Sequence, residues 1–274
     1  MKPIPFYKMS GSGNDFMIID NREKVVDINH LDEFIAKVCR RKMSVGADGF
    51  IMIDTSDQAD FGWHFYNSDG GRAEMCGNGA RCAARFAFLN GIAANKMSFE
   101  TDAGILIAQI IDDRVKIKMP DPAELRLDYQ LEVEAGPLVI SSINTGVPHV
   151  VILTDDVEGV DVVERGREIR FHQTFAPDGT NVNFISLKQD NTIIMRTYER
   201  GVEDETLACG TGAIAGALVT ASKFKTESPS RICTRSGEFL TIYFKMTDDS
   251  YSDIYLEGDA RVIYKAELGE DAWN

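Results

Sequence analysis

Residues 74–82 read EMCGNGARC, and residues 205–212 read ETLACGTG. In both, an acidic residue precedes a cysteine, and Gly, a small polar residue and Gly follow it. Each stretch then enters a run of small and apolar residues, GARCAARFAFL over 79–89 and GAIAGALVTASKF from Gly212. Such runs predict helices that are apolar on most faces and so must be buried on most faces. A curved sheet wrapped around a central helix meets that demand.

The flanking segments supply the strands. In the first half, residues 4–8, 15–20, 49–53, 61–67, 97–101, 104–111 and 114–118 read as strands. Residues 31–41 place Leu31, Phe34, Ile35 and Val38 at helical spacing, and Asn90-Gly91 ends the glycine- and alanine-rich helix. MPDPAEL at 119–125 carries two prolines in four residues and reads as a break and linker. The second half repeats the plan, with strands near 137–143, 148–153, 181–187, 192–198, 230–234, 239–245, 253–257 and 261–266. Its helices are a polar one over 161–170 and the small-residue one from Gly212. The expected fold class is α+β: two pseudo-symmetric domains, each a curved, mostly antiparallel sheet wrapped around a central helix.

The chain has 274 residues and a net charge of -14, with 44% hydrophobic and 26% charged residues. The charge disfavours nucleic acid and anionic membrane surfaces as partners. No apolar run approaches the roughly 18 residues that suggest a membrane span. The start MKPIPFYKMSGSGNDF lacks the apolar core of a signal peptide, so a cytoplasmic protein is expected. RGREIR at 165–170, the densest basic cluster, reads as a solvated helix face. Five cysteines without a CxxC spacing indicate free thiols in a reducing compartment. The four histidines lie far apart in sequence, so no metal site is expected.

A cysteine at a helix N-terminus meets unpaired N–H groups and the positive end of the helix dipole. That position is expected to lower the thiol pKa from about 8.5 into a range of roughly 3.5–7.5. The N–H groups of Gly77 and Asn78, and of Gly210 and Thr211, can bind a carboxylate, and glycine allows its close approach. Two such thiols on opposite sides of one ligand, in a cleft between the domains, could remove a proton from one face of a carbon and return one to the other. That chemistry inverts a stereocentre. Cys39, Cys82 and Cys233 read as small core residues.

At these residues the chain resembles the diaminopimelate epimerases. The likeness runs through SGSGNDFMIID near the start, SVGADGFI at 44–51, FYNSDGGRAEMCGNGARC at 65–82, TGVPHVV at 145–151, GTNVNFI at 179–185 and YERGVEDETLACGTGA at 198–213. It implies that Cys76 and Cys209 are the acid/base pair, with Gly77, Asn78, Gly210 and Thr211 cradling the carboxylate on the reacting carbon. Asn14, Asn67, Asn181, Glu199 and Arg200 would grip the substrate, mainly its distal end, where Arg suits a carboxylate and Glu and Asn oxygens suit an ammonium. The reaction would need neither pyridoxal phosphate nor metal. The implied division is 1–120 and 121–263, with 264–274 completing the first domain. The expected partners are a small amino-acid substrate and a second copy of the chain, a homodimer. His149 lies near the implied site and receives no role.

Two positions depart from the family pattern: Gly49, where many members carry Gln, and Val147, where many carry Asn. Two other readings stay open. One is an epimerase of another amino acid such as hydroxyproline, against which Glu199-Arg200 speaks. The other is a redox protein switching through Cys76 and Cys209, which the missing CxxC disfavours.

Overall fold

A computed structural model describes residues 3–26, 28–247 and 250–273. In chain order the strands and helices are β1 (Ile4–Gly11), β2 (Asn14–Asp20), α1 (Leu31–Val38), β3 (Gly49–Asp54), β4 (Phe61–Asn67), β5 (Arg72–Ala73), α2 (Gly77–Leu89), β6 (Lys96–Thr101), β7 (Gly104–Ile111) and β8 (Arg114–Lys118). They continue as β9 (Ala123–Val133), β10 (Gly136–Asn144), β11 (Pro148–Leu153), α3 (Val162–Arg170), β12 (Asn181–Leu187), β13 (Ile193–Glu199), β14 (Asp204–Thr206), α4 (Gly210–Phe224), β15 (Ser230–Cys233), β16 (Phe239–Met246), β17 (Tyr251–Asp259) and β18 (Arg261–Leu268). The chain divides into two compact units, 1–117 with 258–274, and 118–257. No helix among the described residues is long and apolar enough to cross a membrane.

In the first unit β1 pairs antiparallel with β2 and with β18, and β2 runs parallel to β3. β3 pairs antiparallel with β4, which also holds β5 antiparallel and β6 parallel, and β6, β7 and β8 follow as a meander. The second unit has the same wiring. There β10 pairs antiparallel with β9 and β11, and β11 runs parallel to β12. β12 pairs with β13, which holds β14 antiparallel and β15 parallel, and β15, β16 and β17 follow. Helix α1 thus matches α3, and α2 matches α4. The duplication written in the two cysteine stretches is carried by every strand.

Each central helix crosses between two parallel strands, β4 to β6 or β13 to β15, and packs on one side of its sheet. α2 packs against β1, β2, β3 and β7, and α4 against β9 to β13, β15 and β16. In α4 every residue from Gly212 to Ala221 is buried. Burial of side chains such as Ile214, Leu218 and Val219 contributes about 1.5–3 kcal/mol each. α2 ends on Asn90, whose Nδ2 donates to Phe86 O, and Gly91 follows at φ +66°. The polar helix α3 starts at Asp161, whose Oδ1 accepts from the Glu164 N–H at 3.0 Å. It lays Gly166 against Tyr198, where a Cβ would fall 2.4 Å from the Tyr198 side chain.

The fold class read from the sequence is the one observed. Three elements differ from the reading. The proline-rich stretch at 119–125 is a break only as far as Pro122, because β9 begins at Ala123. β9 is mostly exposed, so alternation left little trace in its sequence. The short strands β5 and β14, which lead into the cysteine turns, are absent from the strands expected from the sequence.

Candidate active site

Cys76 caps α2 with extended backbone (φ -143°, ψ 116°), and Cys209 caps α4 likewise (φ -120°, ψ 113°). Both carbonyls accept the first helical bond, from Ala80 and Ala213. The two sulfurs therefore start from the same backbone geometry at the same point of two matching repeats. All five cysteines are free.

In the first unit Cys76 is half-buried. A Cβ added to Gly77 would meet nothing within 4 Å, so packing does not demand glycine there. Asn78 Nδ2 donates to Asn14 Oδ1 at 2.6 Å, and Asn14 Nδ2 donates to Asp48 Oδ2 at 3.3 Å. The structure thus brings Asn14 and Asn78 together at the start of α2. Asp48 is held in turn by Arg41, Nη2 to Oδ1 at 2.8 Å. Asn67 ends β4 opposite Gly49 of β3, with its side chain exposed. Gly49 is required by its neighbours: a Cβ there would lie 2.6 Å from Phe65 Cε2 and 3.1 Å from Tyr66 O. The departure from Gln at this position is therefore coupled to the ring of Phe65.

In the second unit Cys209 is 6% exposed. Its Sγ lies 3.5 Å from Thr211 Oγ1, beside the start of α4. The expected lowering of this thiol is not what results. Burial pushes it up to about 12, the Glu199 carboxylate adds to the rise, and the Thr211 hydroxyl with the backbone amides of Gly212 and Thr211 recovers only part. Desolvation of the thiolate outweighs the helix end, so Cys209 rests as a thiol. Burial likewise pushes Cys39 up to about 12 and raises Cys82 and Cys233.

Glu199 accepts the Thr206 hydroxyl at 2.8 Å, and burial raises its carboxyl above the usual range against that bond. Arg200 donates from Nη1 to Asp178 O at 3.3 Å. Among the described residues neither forms an ion pair, so they are not a surface pair. Asn181 is buried and already committed: Nδ2 donates to Pro148 O at 3.1 Å, and Oδ1 accepts the Arg200 N–H at 2.9 Å. It shapes the turn that carries Arg200, and its second amide N–H is left uncommitted.

Two residues near Cys209 were not singled out as site residues. Asn183 Nδ2 donates to His149 Nδ1 at 3.0 Å and to Val150 O at 2.9 Å, while its Oδ1 accepts the Thr197 hydroxyl at 3.0 Å. An acceptor at Nδ1 puts the His149 proton on Nε2, and that buried nitrogen has no partner. Burial, with a smaller contribution from Arg200, lowers His149 to about 3, so it stays neutral. The signal available in the sequence was the spacing of Asn181 and Asn183, which puts both on one face of β12. Among the described residues no group of three His, Cys, Asp or Glu side chains could hold a metal ion.

A family model described as diaminopimelate epimerase matches residues 6–125 and 141–263. The chain belongs to the diaminopimelate epimerase family. The diaminopimelate epimerase of Aquifex aeolicus is 44% identical over 279 residues, covering 98% of this chain and 99% of that one. That of a Hydrogenobaculum species is 43% identical, with 95% and 97% covered. Solved structures extend the likeness in fold alone. A Bacillus anthracis phenazine biosynthesis protein of the PhzF family superposes at a TM-score of 0.74 with 17% identity, over 98% of this chain and all of that one. A probable proline racemase of Agrobacterium radiobacter does so at 0.69 with 15% identity, over 99% and 94%.

Proposed function

We propose that this member of the diaminopimelate epimerase family interconverts LL- and meso-2,6-diaminopimelate, with Cys76 and Cys209 as a two-base pair acting on one α-carbon. The observation that carries the reading is the matched placement of the two thiols at the N-caps of α2 and α4, in two repeats of identical wiring. The units 1–117 with 258–274 and 118–257 act as the two epimerase domains.

In the reaction one thiolate takes the α-proton, leaving the C–H electron pair on carbon. The N–H groups of Gly77, Asn78, Gly210 and Thr211 hold the adjacent carboxylate, over which that charge delocalises. The other sulfur, as thiol, gives its proton to the opposite face and becomes the thiolate. Reversal exchanges the two roles. Cys209, neutral at rest, suits the donor role first. At the distal end Arg200, free of any carboxylate among the described residues, takes the carboxylate. Glu199 takes the ammonium, with Asn14, Asn67 and Asn181 completing the grip. The unpartnered His149 Nε2–H adds one more donor. The proposal extends to a homodimer working in the cytoplasm, a compartment that suits five free thiols.

The test is single replacement. Cys76→Ala and Cys209→Ala should each lose turnover by at least about 100-fold, the scale of general acid–base catalysis. Cys39→Ala should keep most of it. Equal loss in all three variants would contradict the assignment.

A further inference from the structure

Arg81 lies inside α2, one turn beyond Cys76, and is 0% exposed. Burying a guanidinium is costly unless its donors are all used. Nε donates to Asp259 O at 3.1 Å, Nη1 to Gly77 O at 3.4 Å, and Nη2 to Ser12 Oγ and Asn78 Oδ1, each at 2.8 Å. Ser12 is itself tied to the Asp259 carboxylate through its N–H at 3.0 Å and its hydroxyl at 2.9 Å.

The second repeat acts as a built-in control. The residue five places after Cys209 is Ile214, buried at 1% exposure. The fold therefore closes over this position of the central helix with a plain hydrocarbon. In that repeat the turn is held by a neutral bond, Thr145 Oγ1 to Thr211 O at 3.0 Å. A buried cation is not what the architecture requires; it answers to what Arg81 touches.

Those contacts form a chain with a direction. Arg81 can only donate, so Asn78 must turn Oδ1 toward it. Asn78 Nδ2 then faces Asn14 Oδ1, and Asn14 Nδ2 faces the carboxylate of Asp48, which can only accept. A donor-only end and an acceptor-only end leave both amides a single orientation. Each keeps one spare N–H on Nδ2 for an acceptor on the substrate.

We propose that Arg81 is a positioning residue of the Cys76 half of the site: it fixes the Asn78 amide, and through it the Asn14 amide, and anchors the first turn of α2 through Gly77 O. The second half, with Ile214, has no counterpart. The inference rests on the proposed epimerase function, because its readout is substrate binding.

The experiment is a double-mutant cycle with LL-diaminopimelate, measuring kcat and KM. Arg81→Met should fold, as an apolar chain does at Ile214, and should raise KM about tenfold, the effect of freeing one buried charged hydrogen-bond partner. Arg81→Lys, which still donates from a cation, should recover part of that loss. Asn78→Ala with Arg81→Met should be no worse than the more damaged single variant, since both cut one chain. A KM unchanged in Arg81→Met with only kcat reduced signals loss of folded protein and overturns the proposal, as does additivity in the cycle. If Arg81→Met does not fold, the same cycle is run with Arg81→Lys, and an unchanged KM there overturns it as well. An active parent with an additive cycle defeats this inference alone; an inactive parent defeats the functional reading and this one together.

Discussion

Gly212 and Asn183 are packed so closely that a Cβ on Gly212 would fall 2.3 Å from Asn183 Oδ1 and 3.3 Å from Cys209 Sγ. Nothing comparable surrounds Gly77, one residue after the other cysteine. Gly212→Ala should therefore displace Asn183, destabilise the protein by about 1–3 kcal/mol and cut turnover. Gly77→Ala should leave stability within about 0.5 kcal/mol, yet raise KM, because in the proposed cradle its methyl would stand in the path of the substrate carboxylate. Thermal melts and steady-state kinetics on the two variants check both. A Gly77→Ala enzyme with the parental KM would remove Gly77 from the cradle.

Glu199 has a carboxyl raised by burial. A raised carboxyl binds its proton more tightly in the folded state, so at neutral pH its ionised form costs stability, and the cost fades as pH falls toward the raised value, above 4.5. Glu199→Gln should thus melt higher than the parent at pH 7–8, with the advantage shrinking in acid, while losing most activity. A variant that melts lower at pH 8 would contradict this balance.

His149 works in the other direction. Its folded-state pKa is lowered from 6.5 to about 3, so the unfolded chain takes up a proton that the folded one refuses. The stability this confers is intact above pH 6.5 and is lost as pH falls through that window toward 3. His149→Gln should flatten the acid side of the stability curve between those limits. Parallel curves for parent and variant would show that the ring is not buried as described.

Cys209, pushed up to about 12, should react slowly with iodoacetamide at pH 7.5, with the rate still climbing about tenfold per pH unit up to pH 10. Since the Glu199 carboxylate contributes to the rise, Glu199→Gln should speed alkylation of Cys209. Peptide mass spectrometry after timed quenching reads the site directly. A plateau below pH 8 would mean that the helix end prevails over burial.

The duplication was legible because it is written in residue type: two cysteine turns of one pattern, each opening a helix too apolar to face water. Most strands followed from their apolar runs, except β9, whose exposed residues leave no buried face to read, and β5 and β14, which are two and three residues long. The direction of the Cys209 shift was not legible, because the helix end is visible in sequence while the apolar packing and the Glu199 charge around it come from β13 and α4 together. Asn181 reads as a ligand by type; only the pairing of β12 with β11 and β13 reveals that Pro148 and Arg200 already take one amide N–H and the amide oxygen. Arg81 sits within a run that reads as plain core helix, and its partners Ser12 and Asp259 come from opposite ends of the chain.

The most direct measurement of the two-base chemistry is deuterium incorporation from D2O into LL- and meso-diaminopimelate during early turnover. Proton removal by one sulfur and return by another predicts that the inverted product carries one solvent deuterium at its α-carbon, while recovered substrate carries almost none. Deuterium entering substrate and product alike, or inversion with no solvent deuterium at all, would contradict it.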